Sequence, residues 1–218
     1  MRTQILTGTL ALFFLCACNT IPKGDNANTS ESQSIAEATE LVYNVDSTSS
    51  IEFTGNGVGK NHPGLFKISD GKISVHEGSV HAGSFIINIP SMILKEEGEM
   101  IQTKLKGHLL SPDFFDVQKY PTAKFEITKV TSYTSNGTDK SVVEGANALV
   151  SGNLTLKDAI KNVTFPANIT ISETEITAKA NFNIDRTQWN MSYGNDKSLK
   201  DKFISPEVNI ALDVKAKR

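Results

Sequence analysis

Cysteine is almost absent from this chain. Its two cysteines, Cys16 and Cys18, both lie within the first 18 of its 218 residues. The rest of the sequence therefore has no disulfide bond, no cysteine nucleophile and no thiolate ligand for a metal. Any stability or chemistry of the folded part must come from other residue types.

Arginine is also rare, and neither sign of charge dominates. The chain has 22 basic and 24 acidic residues, for a net charge of -2, and beyond Arg2 its arginines are Arg186 and Arg218. Domains that bind nucleic acid carry a basic excess that neutralises phosphates. The composition therefore argues against a nucleic-acid partner.

The amino terminus has the pattern of a secretion signal. An apolar run at residues 5–15 follows a single arginine and is too short to span a membrane as a stable helix. Residues 15–18 read LCAC, which resembles the bacterial lipobox, with leucine three residues before the lipidated cysteine. We expect residues 1–17 to be a lipoprotein signal peptide and Cys18 to carry the lipid. The alternative is a plain secretion signal.

The next segment is polar. Residues 19–40 contain no aromatic residue and few large apolar ones, so they bury too little surface to fold alone. We expect residues 18–40 to be a lipidated, flexible tether that holds the domain on the order of 25 Å from a membrane. The folded domain is then residues 41–218.

From residue 41 onward, apolar and polar residues alternate, which predicts strands with one apolar face. The apolar positions are Ile51 and Phe53; Phe85, Ile87 and Ile89; Phe125 and Ile127; Leu154 and Leu156; Val163, Phe165, Ala167, Ile169 and Ile171; Ile176, Ala178, Ala180, Phe182 and Ile184; and Val208, Ile210, Leu212 and Val214. Turns are predicted at 70–71, 77–78, 136–137 and 172–173. This pattern indicates an antiparallel sheet built from hairpins.

One stretch has helical spacing instead. Ile101, Leu105, His108 and Leu109 would share one face of a helix over residues 98–109. Ser111 is then predicted to cap a following helical turn. An all-β chain with one helix is compatible with either a sandwich or an up-and-down barrel, and the length of the late strands favours the barrel.

Four blocks of sequence resemble the YceI-like family of bacterial periplasmic proteins. They are YNVD at 43–46 with SIEF at 50–53; HL at 108–109 with SPDFFDV at 111–117 and KYPTAKF at 119–125; GNLTLK at 152–157 with VTFP at 163–166; and DR at 185–186 with Trp189 and YG at 193–194. The resemblance implies an antiparallel, extended lipocalin-like barrel that binds a polyisoprenoid or other apolar chain.

Three positions depart from the family pattern. Ser49 stands where the family commonly has histidine, and residues 158–160 replace its usual glycine–threonine turn. Residues 62–64 instead resemble a variant with an early His-x-Gly. A ligand contact that depends on the missing histidine is therefore not carried over to this chain.

The inward faces of the predicted strands supply the candidate ligand-binding residues. These are Phe85, Ile87, Ile89, Phe125, Ile127, Phe165, Ile169, Phe182 and Ile184. The alternative for each is packing in a closed core. Arg186 could bind a polar head group, although a structural role beside Asp185 is favoured. Trp189 and Tyr193 could cover the barrel mouth or stabilise a turn.

Metal binding and catalysis have little support in the sequence. His62, His76, His81 and His108 do not have the spacing of a metal site. Asp113 and Asp116 could form an acid–base pair, but no nucleophile or metal motif accompanies them. We expect no cofactor.

These observations predict a lipoprotein of the bacterial envelope, in the outer membrane facing the periplasm, that binds or carries an apolar lipid. The lipid would be polyisoprenoid or quinone-like. One alternative is a ligand-free structural or stress-response barrel that acts through its surface. The other is an enzyme that acts on a bound lipid.

Overall fold

The computed structural model describes residues 21–38, 41–57, 59–137 and 140–218. Its strands are β1 (Asp25–Asn26), β2 (Asn28–Glu31), β3 (Leu41–Val45), β4 (Ser50–Gly57), β5 (Lys60–His76), β6 (Ser79–Leu94), β7 (Thr122–Ser132), β8 (Ala148–Leu156), β9 (Ala159–Ile171), β10 (Glu175–Asp185) and β11 (Ile204–Lys217). A π-helical turn, Met100–Leu105, leads into helix α1, Lys106–Leu110. Short 3₁₀ turns span Arg186–Trp189 and Lys197–Lys202.

The main strands form one antiparallel barrel with eight strand positions. Consecutive strands from β4 to β11 pair as neighbours, and β4 closes the barrel by pairing with β11. Strand β3 shares the position of β4, because both pair with β5 on one side and β11 on the other. The predicted barrel is confirmed, since the apolar faces turn inward around one interior rather than packing as two sheets.

The two ends of the barrel differ. The hairpins at Glu77–Gly78 and Ser172–Glu173 lie at one end, called here the lower end. The hairpin that joins β4 to β5 lies at the upper end. Helix α1 follows the upper end of β6, and the turn Arg186–Trp189 follows the upper end of β10. The helix and the 3₁₀ turns thus lie at the upper end, whereas the long loop between β7 and β8 lies at the lower end.

The predicted helix is confirmed, but the predicted cap is not. The Oγ of Ser111 donates to the carbonyl of His108 at 2.7 Å, so it closes the end of α1. Residues 112–115 form the predicted turn, in which the amide of Phe114 donates to the carbonyl of Ser111 at 3.1 Å. A serine next to a helix carbonyl bonds back to that carbonyl when no second helix supplies free amides.

The turn predicted at Asp70–Gly71 is wrong, whereas the turn at Glu77–Gly78 is confirmed. Strand β5 continues through Asp70 and Gly71, with an irregular register between Ile68 and Asp70. A Cβ on Gly71 would lie 2.7 Å from Cγ2 of Val45. Glycine serves close packing at this position, not chain reversal.

The tether prediction also differs from the structure. Residues 25–31 are not a free linker: β1 pairs parallel with β10, and β2 pairs antiparallel with β9. A polar segment that buries little apolar surface can still be ordered by the unused hydrogen-bonding edges of neighbouring strands. Residues 25–31 therefore pack on the barrel wall. Of the helices in the described ranges, none is long and apolar enough to cross a membrane.

Candidate functional site

An apolar cavity of about 290 Å³ lies inside the barrel. All nine residues predicted as its lining are on its wall: Phe85, Ile87, Ile89, Phe125, Ile127, Phe165, Ile169, Phe182 and Ile184. Their contact with a ligand remains a prediction. The volume is close to the lower limit of ligand pockets, which suits a slender molecule.

Stacked aromatic rings stiffen one side of the wall. The rings of Phe165 and Phe182 stack at 3.9 Å between centroids and 8° between planes. Phe125 lies 6.0 Å from Phe165 and 6.2 Å from Phe85. A Cβ on Gly152 would come within 2.2 Å of the ring of Phe125, so only glycine lets that ring lie across the neighbouring strand. The wall is preformed by these contacts.

The lower end of the cavity is closed by packed side chains. Tyr43 is 1% exposed, and its hydroxyl donates to the carbonyl of Ser172 at 2.8 Å. Ile176 and Ala216 are fully buried near it. A ligand chain would therefore end against this floor.

Polar groups gather at the upper end. Among the described residues, the polar ones on the cavity wall are Asn56, His62, His108, Arg186 and Ser205, which lie at this end, and Lys179, which does not. The π-helical turn contributes Leu105 to this end, helix α1 contributes Leu109, and the turn after α1 contributes Phe114 and Phe115. The cavity is thus apolar over most of its length and polar at one end, the layout that suits an apolar chain with a polar terminus.

Arg186 is held by the backbone. It is 5% exposed; its Nε donates to the carbonyl of Ser205 at 2.9 Å, and its Nη2 donates to those of Tyr193 at 2.9 Å and Ile204 at 3.0 Å. Its Nη1 donates to the carbonyl of Met191, and the guanidinium lies 5.5 Å from the centre of the Phe114 ring. Burial lowers the pKa of Arg186 from its ordinary value. These contacts favour the structural role, with backbone carbonyls rather than Asp185 as partners.

Trp189 does not cover the mouth. Its side chain is fully buried, does not reach the cavity wall, and donates from Nε1 to the carbonyl of Leu154 at 2.9 Å. Burial of the ring together with this hydrogen bond favours the turn-stabilising alternative. Tyr193 is 48% exposed and packs its ring against His108 and Phe114 at the upper rim.

A pair that the sequence did not single out lies at the same end. The Nδ1 of His62 lies 2.6 Å from the carboxylate of Glu96, and Lys60 lies 3.2 Å from the other oxygen of that carboxylate. Burial raises the pKa of Glu96, but hydrogen bonds from His62 and Lys60 outweigh it and keep the pKa below its ordinary value. The two-residue period does indicate that His62 faces inward with Phe66, but its carboxylate partner follows a strand end and has no sequence signal.

The remaining histidines and the two aspartates lie at the rim, on the exterior and in the turn after α1. His108 Nε2 lies 2.9 Å from Asp113 on the rim, and His76 contacts His81 on the exterior. Asp116 has a positive φ of 48° in the turn after α1. Across residues 21–38, 41–57, 59–137 and 140–218, no three potential metal ligands come together. The predicted lipidation site, Cys18, lies outside the described residues.

The family of this chain follows from a match along most of its length. A model of the YceI-like domain matches residues 43–216. The chain belongs to the YceI-like family. Two proteins of Pseudomonas putida, each known as a UPF0312 protein, are 32% identical to this YceI-like chain over 104 residues. The match covers 48% of the chain and 47% of each relative, so the chain spans about half the length of the curated relatives it matches.

Solved structures share the fold at low sequence identity. BcnA of Burkholderia cenocepacia superimposes with a TM-score of 0.61 at 20% identity, over 79% of this chain and 99% of BcnA. A polyisoprenoid binding domain from Saccharophagus degradans, implicated in plant cell wall breakdown, gives 0.59 at 16% identity over 82% and 99%. At these identities the likeness establishes the YceI-like barrel and nothing finer.

Proposed function

We propose that this YceI-like protein binds a long apolar lipid, polyisoprenoid in character, inside its barrel. The observation that carries the proposal is the cavity, which is enclosed by inward strand faces, floored by packed side chains and apolar over most of its wall. Each methylene group of a ligand that leaves water for such a wall contributes up to about 0.8 kcal/mol. The binding function of the domain from Saccharophagus degradans supports the same ligand class.

The proposal includes an envelope location. The apolar run and the LCAC sequence at residues 15–18 support a lipid anchor on Cys18, in the outer membrane facing the periplasm. Several acyl chains on one cysteine would hold the protein firmly, since one chain alone binds membranes only marginally. The protein would then bind or carry lipid next to its membrane source. Labelling cells with a radioactive fatty acid tests the anchor, and Cys18→Ala is expected to abolish the label.

The alternatives have weaker support. A structural barrel with no ligand would be favoured by an interior filled with side chains, whereas this interior contains a cavity. An enzyme acting on the lipid would need reactive groups at the cavity, and neither Asp113 nor Asp116 is on its wall. We therefore propose a binding role rather than a catalytic one.

The test is to purify the barrel from its own host, extract it with organic solvent and identify the extract by mass spectrometry. The expected result is an apolar lipid at a stoichiometry near one per chain. Uptake of a labelled isoprenoid by delipidated protein is the second readout. Protein that is empty as purified and takes up no isoprenoid would refute the proposal.

A further inference from the structure

His62 faces the inside of the barrel. It precedes Gly64 and Phe66 on β5 by two and four residues, and Phe66 is buried in the core beside Phe53. Because side chains alternate between the faces of a strand, these three residues share the inner face. The side chain of His62 is 15% exposed and forms part of the cavity wall.

The ring of His62 is fixed by a carboxylate. Glu96 accepts from Nδ1 at 2.6 Å, and Lys60 holds the second oxygen of Glu96 at 3.2 Å. Among the described residues, Glu96 is the hydrogen-bond partner of this ring. A carboxylate on Nδ1 sets the tautomer of the ring and orients Nε2. In the neutral ring Nε2 is then an acceptor, and in the charged ring it is a donor.

Space for a ligand group lies next to this ring. The residue paired with His62 across the β4–β5 ladder is Gly55, and a Cβ built on Gly55 meets nothing within 4 Å. Gly57 is the next inward residue of β4, and both glycines are on the cavity wall. Glycine at position 55 leaves the cavity open beside the imidazole, whereas a Cβ on Gly57 would lie 3.3 Å from the side chain of Ile204.

The chemistry of the pair selects the kind of group. A hydroxyl both donates and accepts, so it can bond Nε2 in either protonation state of the ring. An anionic group would lie close to the Glu96 carboxylate and would be repelled by it. A purely apolar end would leave the buried imidazole nitrogen without a partner, at a cost in free energy.

We propose that His62, positioned by Glu96 and facing Gly55, forms a head-group site that recognises the hydroxyl of a long-chain lipid alcohol whose tail fills the apolar cavity. This inference rests on the proposed lipid-binding function and specifies the ligand's polar end. It places the hydroxyl at the upper end of the barrel and the tail toward Tyr43.

The experiment compares three probes that differ only at one end: geranylgeraniol, the corresponding twenty-carbon hydrocarbon, and geranylgeranyl monophosphate. Their affinities are measured by displacement of a fluorescent lipid from delipidated barrel. One hydrogen bond to a partly buried group predicts that the alcohol binds about three- to tenfold tighter than the hydrocarbon. The affinity for the monophosphate should not exceed the affinity for the alcohol.

Three variants locate the preference. His62→Phe keeps a ring in place but removes Nε2, and it should abolish the preference for the alcohol while hydrocarbon binding stays within about twofold. Gly55→Val fills the space beside the ring but leaves the imidazole unchanged. It should weaken binding of the alcohol and not binding of the hydrocarbon. His81→Phe, on the exterior, is the matched control and should change nothing. Circular dichroism confirms that each variant folds.

The possible outcomes distinguish the head-group site from the proposed lipid-binding function. Equal binding of alcohol and hydrocarbon, unchanged in His62→Phe, overturns the head-group site and leaves lipid binding intact. Tighter binding of the phosphate than of the alcohol also overturns it, because it requires a cationic site. Binding of no probe by the wild-type protein overturns both. A shift of the His62 Nε2 resonance on adding the alcohol, but not the hydrocarbon, supports it.

Discussion

Arg186 is a buried charge whose partners are neutral. Its four hydrogen bonds go to backbone carbonyls. Those of Met191 and Tyr193 lie in the segment that leads into β11, and those of Ile204 and Ser205 lie at the irregular start of β11. Carbonyls in an irregular segment have no ladder partners, and a planar guanidinium can satisfy several of them at once. Arg186 thus replaces secondary structure in holding this segment against the barrel.

Arg186→Lys is expected to lower the free energy of unfolding by about 2–4 kcal/mol, because an ammonium group reaches fewer of these carbonyls and leaves the others unsatisfied. Urea unfolding followed by fluorescence of Trp189 measures the change. Lipid affinity should be unaltered under conditions where the variant is folded. If the variant has normal stability but no longer binds lipid, Arg186 would instead be a contact of the ligand's head group.

The sequence predicts individual residues well where alternation decides their orientation. All nine predicted lining residues reach the cavity wall, because strand periodicity determines the face. It predicts poorly where the surroundings are irregular. Neither the carbonyls around Arg186 nor the pairing of His62 with Glu96 follows from a periodic pattern, since both depend on loop paths set by the whole barrel.

At the scale of elements, the seam between β9 and β10 is closed by the amino-terminal segment. The two strands pair directly only over Asn168–Ile171 and Ile176–Lys179. Farther up, β1 pairs with β10 at Phe182, and β2 pairs with β9 from Asn28 to Glu31. Gln33 and Asn153 then exchange two hydrogen bonds, of 3.0 and 2.6 Å. Residues 25–33 therefore act as an added strand at this seam.

Gly24→Val is expected to loosen this seam. A Cβ on Gly24 would lie 2.5 Å from Oδ1 of Asn183 and 2.6 Å from Nδ2 of Asn209, so a larger side chain must displace the segment. Hydrogen exchange should accelerate in β1, in β2 and in the upper halves of β9 and β10. Gly107→Ala, where a Cβ meets nothing within 4 Å, is the control. Unchanged exchange at the seam would show that it closes without the segment.

The lower end of the sheet depends on an ion pair beyond β3. Asp46 accepts from Lys217 at 2.8 Å and from the amide of Thr48 at 2.9 Å. The hydrogen bond from Lys217, helped by Thr48, holds the pKa of Asp46 well below its ordinary value of 3.8. Because the folded-state pKa is lowered, the stabilisation is present above pH 3.8 and is lost as the pH falls below it.

Asp46→Asn should therefore reduce the free energy of unfolding at pH 7 and have a smaller effect at pH 2–3. The carboxylate is near the surface, so the difference is modest and should shrink in high salt. Denaturant titrations across this pH range measure it. A difference between wild type and variant that stays constant with pH would contradict this explanation.

The same contrast between regular and irregular features applies to elements. The strands from β4 to β11 follow from alternation, and the helix at 98–109 follows from its spacing. The ordering of residues 25–31 does not, because their composition is that of a linker and their partners are open strand edges far along the chain. The turn predicted at Asp70–Gly71 is wrong for a related reason, since glycine occurs at sites of close packing as well as in turns.

At the scale of the whole molecule, the barrel has a closed floor, an apolar interior and a polar upper end. The described amino-terminal residues start beside β10, where Gly24 packs against Asn181, Asn183 and Asn209. If Cys18 carries the lipid anchor, only a few residues separate the membrane from the barrel wall. The domain would then sit at the membrane surface rather than at the end of a long tether, which shortens the path of a lipid into the cavity.

The central claim is that the cavity holds the lipid, and one pair of variants tests it most directly. Ala178 faces the cavity and is only partly buried, so Ala178→Phe places a ring in the ligand's path. Thr177→Phe adds the same ring on the outer face of the same strand. Labelled isoprenoid bound per folded chain is measured for both. We predict at least a tenfold loss for Ala178→Phe and wild-type binding for Thr177→Phe. Equal binding by the two variants would contradict a ligand site inside the barrel.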